Sequence, residues 1–310
     1  MATGILATDL MSVAMSTQKK VPRSLYKVIK SSGSNMGKMT LKNVIQGNDQ
    51  NHVSPFFLID EFGPMQLPKG AQFRVDAHPH AGIIPTTYLL KGNAHHRDSM
   101  GNDFQYYEGD FIQFTSGRGA LHMEETGDDL YKNGGVFQGI QCWLNIPSHL
   151  KKSNPSASYL KKDDIELVIS ENVTIRVILG EVYGVKSPIK LLMPVIYWHI
   201  SLKENTYLDL PVDPTQNVFI YLLTGKLKVN DHQEVNAGDA ALFERDGDFI
   251  KIRAKKDANF LVLGGEVNNE PFVANGPFVL NNEQELRQAY EDFKNGKFGN
   301  IAETNGIRRP

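Results

Sequence analysis

Short apolar runs separated by turn-forming residues make up most of the chain. Between Leu41 and about Ile146, runs such as SPFFLIDEFGP, TTYLLKGNAHH, GDFIQFTSG and GIQCWLNIP are punctuated by Gly, Asn and Asp. Similar runs resume in VTIRVILGEVYG, VFIYLLTGKLKVN and NFLVLGGE, after a polar connector over residues 147–166. Many short strands joined by tight turns are typical of β-sandwiches and closed barrels, so the pattern predicts two β-rich bodies.

One segment near the end of the chain has helical rather than strand periodicity. In NNEQELRQAYEDFKNGK, apolar residues recur at helical spacing at Leu286, Ala289, Tyr290 and Phe293. An Asn at the start, two Glu residues in the first turn and Gly296 at the end are the usual start and stop signals of a helix. The segment therefore predicts a C-terminal helix docked on a β-rich domain.

The two β-rich halves share an internal repeat. Each copy has an apolar Tyr-Leu-Leu strand, a Gly turn, and then a Gly-Asp turn that leads into a second pair of strands. The Gly-Asp turns align Lys251 with His122, and Arg253 with the glutamate that follows. The Tyr-Leu-Leu runs align residues 211–213 with residues 78–80. The fold is therefore expected to be duplicated, with the candidate chemistry in the first copy alone.

Candidate metal ligands occur in two pairs in the first copy. His78 and His80 flank a proline, and His122 and Glu124 follow the Gly-Asp turn. Residues i and i+2 of a strand point to the same face, so each pair projects in one direction. Two such strands facing each other inside a barrel would combine three imidazoles and one carboxylate, which suits a first-row metal better than Mg²⁺ or Ca²⁺. The alternative is a closed Zn²⁺ site that only stabilises the barrel.

Composition narrows the classes of partner and compartment. The 310 residues are 41% hydrophobic and 22% charged, with a formal net charge of −2 and no basic run interleaved with aromatics, so direct nucleic-acid binding is not expected. The single cysteine, Cys142, is expected to be buried and inert and fits a reducing compartment: the cytoplasm or, in a eukaryote, the nucleus. No run reaches the ~18 apolar residues needed to cross a bilayer. Residues 1–22 are expected to form a poorly ordered, flexible extension or a short strand added to the sheet.

Several motifs in combination resemble the pirin family of bicupins. They are DEFGP, HPHAG, TTYLLKG, HRDSMGN, GDFIQFTSGRGALHMEE, QCWLNIP, GEVYGVKSPI and GPFVLNNEQELRQAYEDF, and the resemblance runs from about Pro22 to Gly299. It implies an all-β bicupin fold with two stacked antiparallel β-barrels of the jelly-roll type. The metal-binding barrel would span residues 23–150, and a barrel without metal ligands, followed by the helix, would span residues 151–310.

The same resemblance implies a metal and an activity. The metal would be one Fe²⁺ per chain, with other first-row divalent metals as alternatives, held by the residues that match the family's three histidines and one glutamate: His78, His80, His122 and Glu124. Some family members are iron-dependent quercetin 2,3-dioxygenases, and others are redox-sensitive transcriptional cofactors or partners of metabolic enzymes. The sequence departs from the family pattern at Ile84, where the family often carries an acidic residue near the expected pocket.

Two hypotheses from different function classes follow. The first is a monomeric dioxygenase of quercetin-type flavonols or related catechol and enol compounds. In it Glu124 is catalytic as well as a ligand, because a carboxylate can leave the metal and accept the proton of a binding flavonol. The second is a non-enzymatic, redox-responsive regulator that binds a protein partner through its metal-bearing barrel. A bicupin zinc isomerase is a third class. Two further histidines, His95 and His96, are adjacent and should face opposite sides. One of them could line the pocket, but a solvated strand end is the favoured interpretation.

Overall fold

The structure, a computed structural model, describes residues 5–6 and 20–301 and consists mainly of strands. The strands of the first half are β1 (Ile5–Leu6), β2 (Leu25–Lys30), β3 (Ser32–Met36), β4 (Met39–Gln46), β5 (Phe56–Leu67), β6 (Arg74–His80), β7 (Ile83–Lys91), β8 (Asn93–Asp98), β9 (Asp103–Tyr107), β10 (Phe111–Thr115), β11 (Ala120–Thr126) and β12 (Gly135–Asn145). Those of the second half are β13 (Ser156–Leu160), β14 (Glu166–Ile169), β15 (Val173–Leu179), β16 (Glu181–Val182), β17 (Val185–Lys186), β18 (Val195–Leu202), β19 (Tyr207–Pro211), β20 (Asn217–Val229), β21 (Gln233–Asn236), β22 (Asp239–Phe243), β23 (Phe249–Gly265), β24 (Val273–Asn275) and β25 (Phe278–Leu280). The helices are α1 (Gln50–Val53), α2 (Asp128–Asn133) and α3 (Glu283–Lys294), with short 3-10 turns at Ser148–Leu150 and Lys162–Asp164.

The chain divides into two compact units, each gathered from three stretches. The first unit takes the described residues up to Phe62, then Gln141–Leu144 and Leu160–Asn269; the second takes Gly63–Ile140, Asn145–Tyr159 and the described residues from Glu270 onward. The predicted division at residue 150 treats each barrel as one continuous stretch. The observed units differ from it because β2 pairs with β22 inside the first unit, and because the chain after Glu270 returns to the second.

The first unit contains a ten-stranded sheet in the order β1-β14-β15-β18-β23-β20-β22-β2, with β19 paired to β23 and β21 paired to β20. Its core is apolar, and β19 and β23 contribute four aliphatic side chains that are at most 2% exposed: Leu208, Leu210, Ile250 and Ile252. At one edge, β1 pairs in parallel with β14. Within the predicted extension of residues 1–22, Ile5 and Leu6 thus form the short added strand. The rest of that expectation, over residues 1–4 and 7–19, lies outside the described residues.

The second unit contains the four-stranded sheet β6-β11-β8-β9, and the strand pair formed by β7 and β10. The predicted C-terminal helix is confirmed as α3. Asn282 caps it by accepting a hydrogen bond from the Glu285 amide at 2.9 Å, and Gly296 follows it with a φ of 71°. Leu286 and Ala289 pack from this helix into an apolar cluster. Within the described residues, no helix is long and apolar enough to cross a membrane.

A buried lysine ties the C-terminal stretch to the turn between β6 and β7. The Lys151 ammonium donates to the Gly82 carbonyl at 3.0 Å, to the Asn145 side-chain oxygen at 2.5 Å and to the Val279 carbonyl at 2.9 Å. The Val279 amide in turn donates to the Ala81 carbonyl at 3.0 Å. Gly82 has a φ of +76°, and a β-carbon there would lie 2.0 Å from the Val279 carbonyl oxygen. Only glycine permits this close approach.

Candidate metal centre

Neighbouring strands of the second unit place the three predicted histidine ligands side by side. β6 and β11 are antiparallel, with His78 directly opposite His122 and His80 two residues further along β6. The ring centroids of His78 and His122 are 4.4 Å apart, and the His80 centroid lies 5.0 Å from each of them. One nitrogen from each ring lies within 4.8 Å of the other two, close enough for one ion to contact all three.

Backbone carbonyl groups orient two of these rings. The Nδ1 atom of His78 lies 2.8 Å from the Asp76 carbonyl oxygen, and the Nδ1 atom of His80 lies 3.3 Å from the Pro277 carbonyl oxygen. A carbonyl oxygen can only accept a hydrogen bond, so Nδ1 donates in both rings. The other ring nitrogen, Nε2, is then the atom of each ring that could bind a metal. Metal-binding histidines are usually fixed in this way, by a hydrogen bond from the second nitrogen.

Like His80, His122 is almost fully enclosed. It is 3% exposed, and the Phe114 ring stacks on it at 4.6 Å with an interplanar angle of 6°. Its Nε2 atom lies 2.9 Å from Nε2 of His78, while its buried Nδ1 atom has no hydrogen-bond partner among the described residues. Burial, followed by the neighbouring histidines, lowers the pKa of His122 well below its usual range and that of His80 to about 3. Both imidazoles are therefore neutral and able to bind a cation.

Glu124 lies on β11 beside His122, but its carboxylate does not sit in the middle of the histidine trio. A β-bulge separates the two residues, and Glu124 is in register with His96 of β8. Its Oε1 atom lies 3.4 Å from the hydroxyls of both Thr87 and Tyr106 and 3.7 Å from Nδ1 of His96. The donor atoms thus form two overlapping groups that share His122: one with His78 and His80, and one with His96 and Glu124.

His96 is the residue that sequence reasoning misjudged. It is completely buried, not at a solvated strand end, and its Nε2 atom lies 3.2 Å from the Asp98 carboxylate. Burial alone would lower the pKa of His96, but the nearby carboxylates of Asp98 and Glu124 outweigh it and raise the pKa to about 9. The sequence does contain a signal for this position, which is the alternation of side chains along a strand. His96 and Asp98 are two residues apart and therefore lie on the same face of β8, and Glu124 of β11 is paired with His96.

His95 faces the opposite side of β8, as its position next to His96 predicts. Its Nε2 atom lies 2.5 Å from the Asp103 carboxylate, and its Nδ1 atom lies 3.5 Å from Glu125. Glu125 also accepts a hydrogen bond from Arg97 at 3.2 Å. These groups form a polar network on the face of the sheet that points away from His122, so they are not part of the candidate centre.

The second copy of the repeat has Lys251 and Asp209 where the first has His122 and His78, and the residues beside them are aliphatic. Asp209 is the ladder partner of Lys251, as His78 is of His122, so the predicted alignment of residue 211 with His78 is wrong by two residues. The reason is a longer connection, since residues 212–216 join β19 to β20 whereas residues 81–82 join β6 to β7. Lys251 is partly exposed and pairs with an aspartate, and its neighbours on β23 fill the core.

The donor set of the first copy fits a first-row divalent metal. Neutral imidazole nitrogens and a carboxylate suit iron, zinc and similar ions, whereas Mg²⁺ and Ca²⁺ prefer shells of oxygen. The buried Nδ1 atom of His122 has no hydrogen-bond partner among the described residues, and the Nδ1 atoms of His78 and His80 are held by backbone carbonyls, so a cation is a natural partner for this group of rings.

Comparisons with known proteins identify the family. A family model described as Pirin matches residues 38–144, and one described as Pirin C-terminal cupin domain matches residues 197–299. A Pseudomonas aeruginosa protein provisionally named as a quercetin 2,3-dioxygenase is 34% identical over 250 residues, which are 80% of this chain and 87% of the relative. Human pirin is 30% identical over 297 residues, covering 92% of this chain and 96% of pirin.

A solved structure agrees with the sequence comparisons. The crystal structure titled quercetin 2,3-dioxygenase from Acinetobacter baumannii has a TM-score of 0.86 and 29% sequence identity, and the match covers 91% of this chain and all of that chain. The extent of these matches, together with the two cupin domains, leads to one conclusion. The chain is a bicupin and belongs to the pirin family.

Proposed function

We propose that the protein is an iron-dependent oxygenase of quercetin-type flavonols or related catechol and enol compounds. The observation that carries the proposal is the pair of neighbouring antiparallel strands that brings three imidazoles together beside a carboxylate. The names of the Pseudomonas relative and of the Acinetobacter structure support the same activity, because both refer to quercetin 2,3-dioxygenase.

Each residue of the site has a distinct role in this proposal. His78, His80 and His122 hold the metal, and Glu124 is both the fourth ligand and the catalytic base. Bound Fe²⁺ would supply a Lewis-acidic redox centre where an enolic substrate and O₂ meet. Glu124 accepts the hydroxyl proton of the substrate at a carboxylate oxygen, because a carboxylate can turn about its side-chain bonds and still bind a proton.

The proposal includes one metal ion per chain. The corresponding strands of the first unit are β19 and β23. Their side chains in the apolar core are aliphatic and offer no atoms that could bind a metal: Leu208, Leu210, Ile250 and Ile252. Metal analysis of protein purified without a chelating tag should therefore find about one equivalent. Two tightly bound equivalents would contradict this part of the proposal.

Turnover is the direct test of the activity. Protein loaded anaerobically with Fe²⁺ is mixed with quercetin and O₂ while flavonol absorbance and carbon monoxide are followed. We expect loss of the absorbance together with carbon monoxide release, and neither signal with metal-free protein or with His78→Ala. If no catechol-like substrate is turned over by the iron-loaded protein, the oxygenase proposal is wrong. That result would favour the redox-responsive regulator that binds a protein partner through its metal-bearing barrel.

We also propose that the protein acts as a cytoplasmic monomer. The buried position of Cys142 in β12 fits a reducing compartment, since no disulfide within the chain is available to stabilise it outside the cell. Size-exclusion chromatography with light scattering should give the mass of one chain, 34.7 kDa. A dimer mass would contradict the proposal of a monomer.

A further inference from the structure

Two hydroxyl groups approach the same oxygen of Glu124. Tyr106 of β9 and Thr87 of β7 each place their hydroxyl 3.4 Å from Oε1. The two side chains come from different strands, and they are 1% and 3% exposed, so their positions are fixed by packing rather than by solvent. A carboxylate oxygen only accepts hydrogen bonds, which makes both hydroxyls donors.

The contacts of Glu124 define a position away from part of the histidine trio. Glu124 belongs to the donor group of His96 and His122, not to the group that contains His78 and His80, and the oxygen that meets the hydroxyls lies 3.7 Å from His96. In this position the carboxylate is not grouped with His78 and His80, and turning Oε1 toward them would break its contacts with the two hydroxyls. Hydrogen bonds that the carboxylate makes in only one of its two positions favour that position over the other.

We propose that Tyr106 and Thr87 are positioning residues that hold Glu124 in this position off the metal. The inference rests on the proposed function, in which the three histidines bind Fe²⁺ and Glu124 is an exchangeable fourth ligand. The hydroxyl pair lowers the affinity for the metal, because part of the binding energy of Glu124 goes into breaking these hydrogen bonds. In return, it provides a place for the carboxylate when it leaves the metal to receive the substrate proton.

The affinity for Fe²⁺ alone tests the inference without any turnover. Tyr106→Phe and Thr87→Val each remove one hydroxyl and keep the shape of the side chain. Binding is measured anaerobically by competition with a chromophoric chelator. We expect each variant to bind Fe²⁺ about fivefold more tightly than the wild type, equivalent to ~1 kcal/mol. A merely structural role predicts no gain in affinity, since loosening a barrel does not improve its metal site.

A matched control comes from the first unit, where Tyr221 also donates a hydrogen bond to a buried glutamate, Glu61. Tyr221→Phe therefore removes the same kind of contact outside the site and should leave the Fe²⁺ affinity unchanged. A second comparison uses Glu124→Ala, which removes the carboxylate itself. In that background Tyr106→Phe should no longer change the affinity, because the coupling between the two side chains has been removed.

The outcomes separate this inference from the proposed function. If the wild type binds Fe²⁺ and the Tyr106 and Thr87 variants bind it equally or more weakly, the positioning role is wrong while the oxygenase remains open. A gain in affinity that persists in the Glu124→Ala background would also overturn the inference, because the hydroxyl would then act through another group. If the wild type itself binds no Fe²⁺, the proposed function and the inference that rests on it both fail.

Discussion

Replacing Lys151 with methionine tests whether the C-terminal stretch supports the metal centre. The Lys151 ammonium is 2% exposed and is held by the oxygens of Gly82, Asn145 and Val279. Two of these oxygens belong to the turn after His80 and to the stretch that supplies the Pro277 carbonyl to the His80 ring. Methionine fills a similar volume and makes none of the three hydrogen bonds.

The expected loss of stability follows from two opposing terms. Hydrogen bonds to a charged donor are worth about 2 kcal/mol each, so three of them contribute about 6 kcal/mol. Burial lowers the pKa of Lys151 from 10.5 to about 8, and this fall corresponds to a charging cost of ~3 kcal/mol that the methionine variant avoids. The net destabilisation is ~3 kcal/mol, which for a chain of 310 residues should lower the melting temperature by roughly 5 °C.

Calorimetry and Fe²⁺ affinity together decide the outcome, and the adjacent lysine supplies the control. Lys152 also contacts the C-terminal stretch, through Glu285 at 2.9 Å, but its side chain is 70% exposed. Exposed ion pairs contribute about 0–1 kcal/mol, so Lys152→Met should melt close to the wild type. Lys151→Met should also bind Fe²⁺ more weakly, because the acceptor of the His80 ring is less firmly held. Equal melting temperatures and affinities in the two variants would refute the reasoning.

Three further predictions concern the site and its surroundings. Alanine variants of the three histidines, at His78, His80 and His122, should lose most of the bound iron without a change in the melting temperature of the metal-free protein. A sharp fall in melting temperature by calorimetry would instead indicate that the metal has a structural role. Glu124→Gln should lower turnover per bound iron by roughly 10²–10⁴-fold, and equal normalised rates would show that Glu124 is only a ligand. Lys151 has a pKa of about 8 in the folded protein and 10.5 in the unfolded chain, so between these pH values the unfolded chain binds more protons. The free energy of unfolding of the wild type should therefore rise with pH relative to that of Lys151→Met, and urea titrations at each pH measure the difference.

Features set by neighbouring residues could be predicted from the sequence. The start of α3 depends on Asn282 and its end on Gly296, and both act within one turn of the helix. The grouping of His78 and His80 follows from the two-residue period of a strand, and the duplicated Gly-Asp turn indicated which strand would face them. These signals are local, so they can be recognised along the chain before any strand pairing is known.

Features that depend on distant residues could not be predicted in the same way. The carbonyl that orients His80 comes from Pro277, which is 197 residues away. Tyr106 and Thr87 meet Glu124 only because strands of two different sheets pack together, and nothing in their local sequence marks them. The two-residue error in the repeat alignment has the same origin, since a longer connection changes the register without changing the strands that it joins.

The return of the C-terminal stretch to the second unit has a consequence for biosynthesis. A ribosome makes His78, His80, His122 and Glu124 well before it reaches Pro277, so the nascent chain has all four side chains while His80 still lacks its acceptor. The turn after His80 is also without Val279, and Lys151 is without one of its three oxygens. The surroundings of His80 are therefore completed only after the stretch that contains Pro277 and Val279 has been synthesised, and the proposed metal site should bind tightly only after that step.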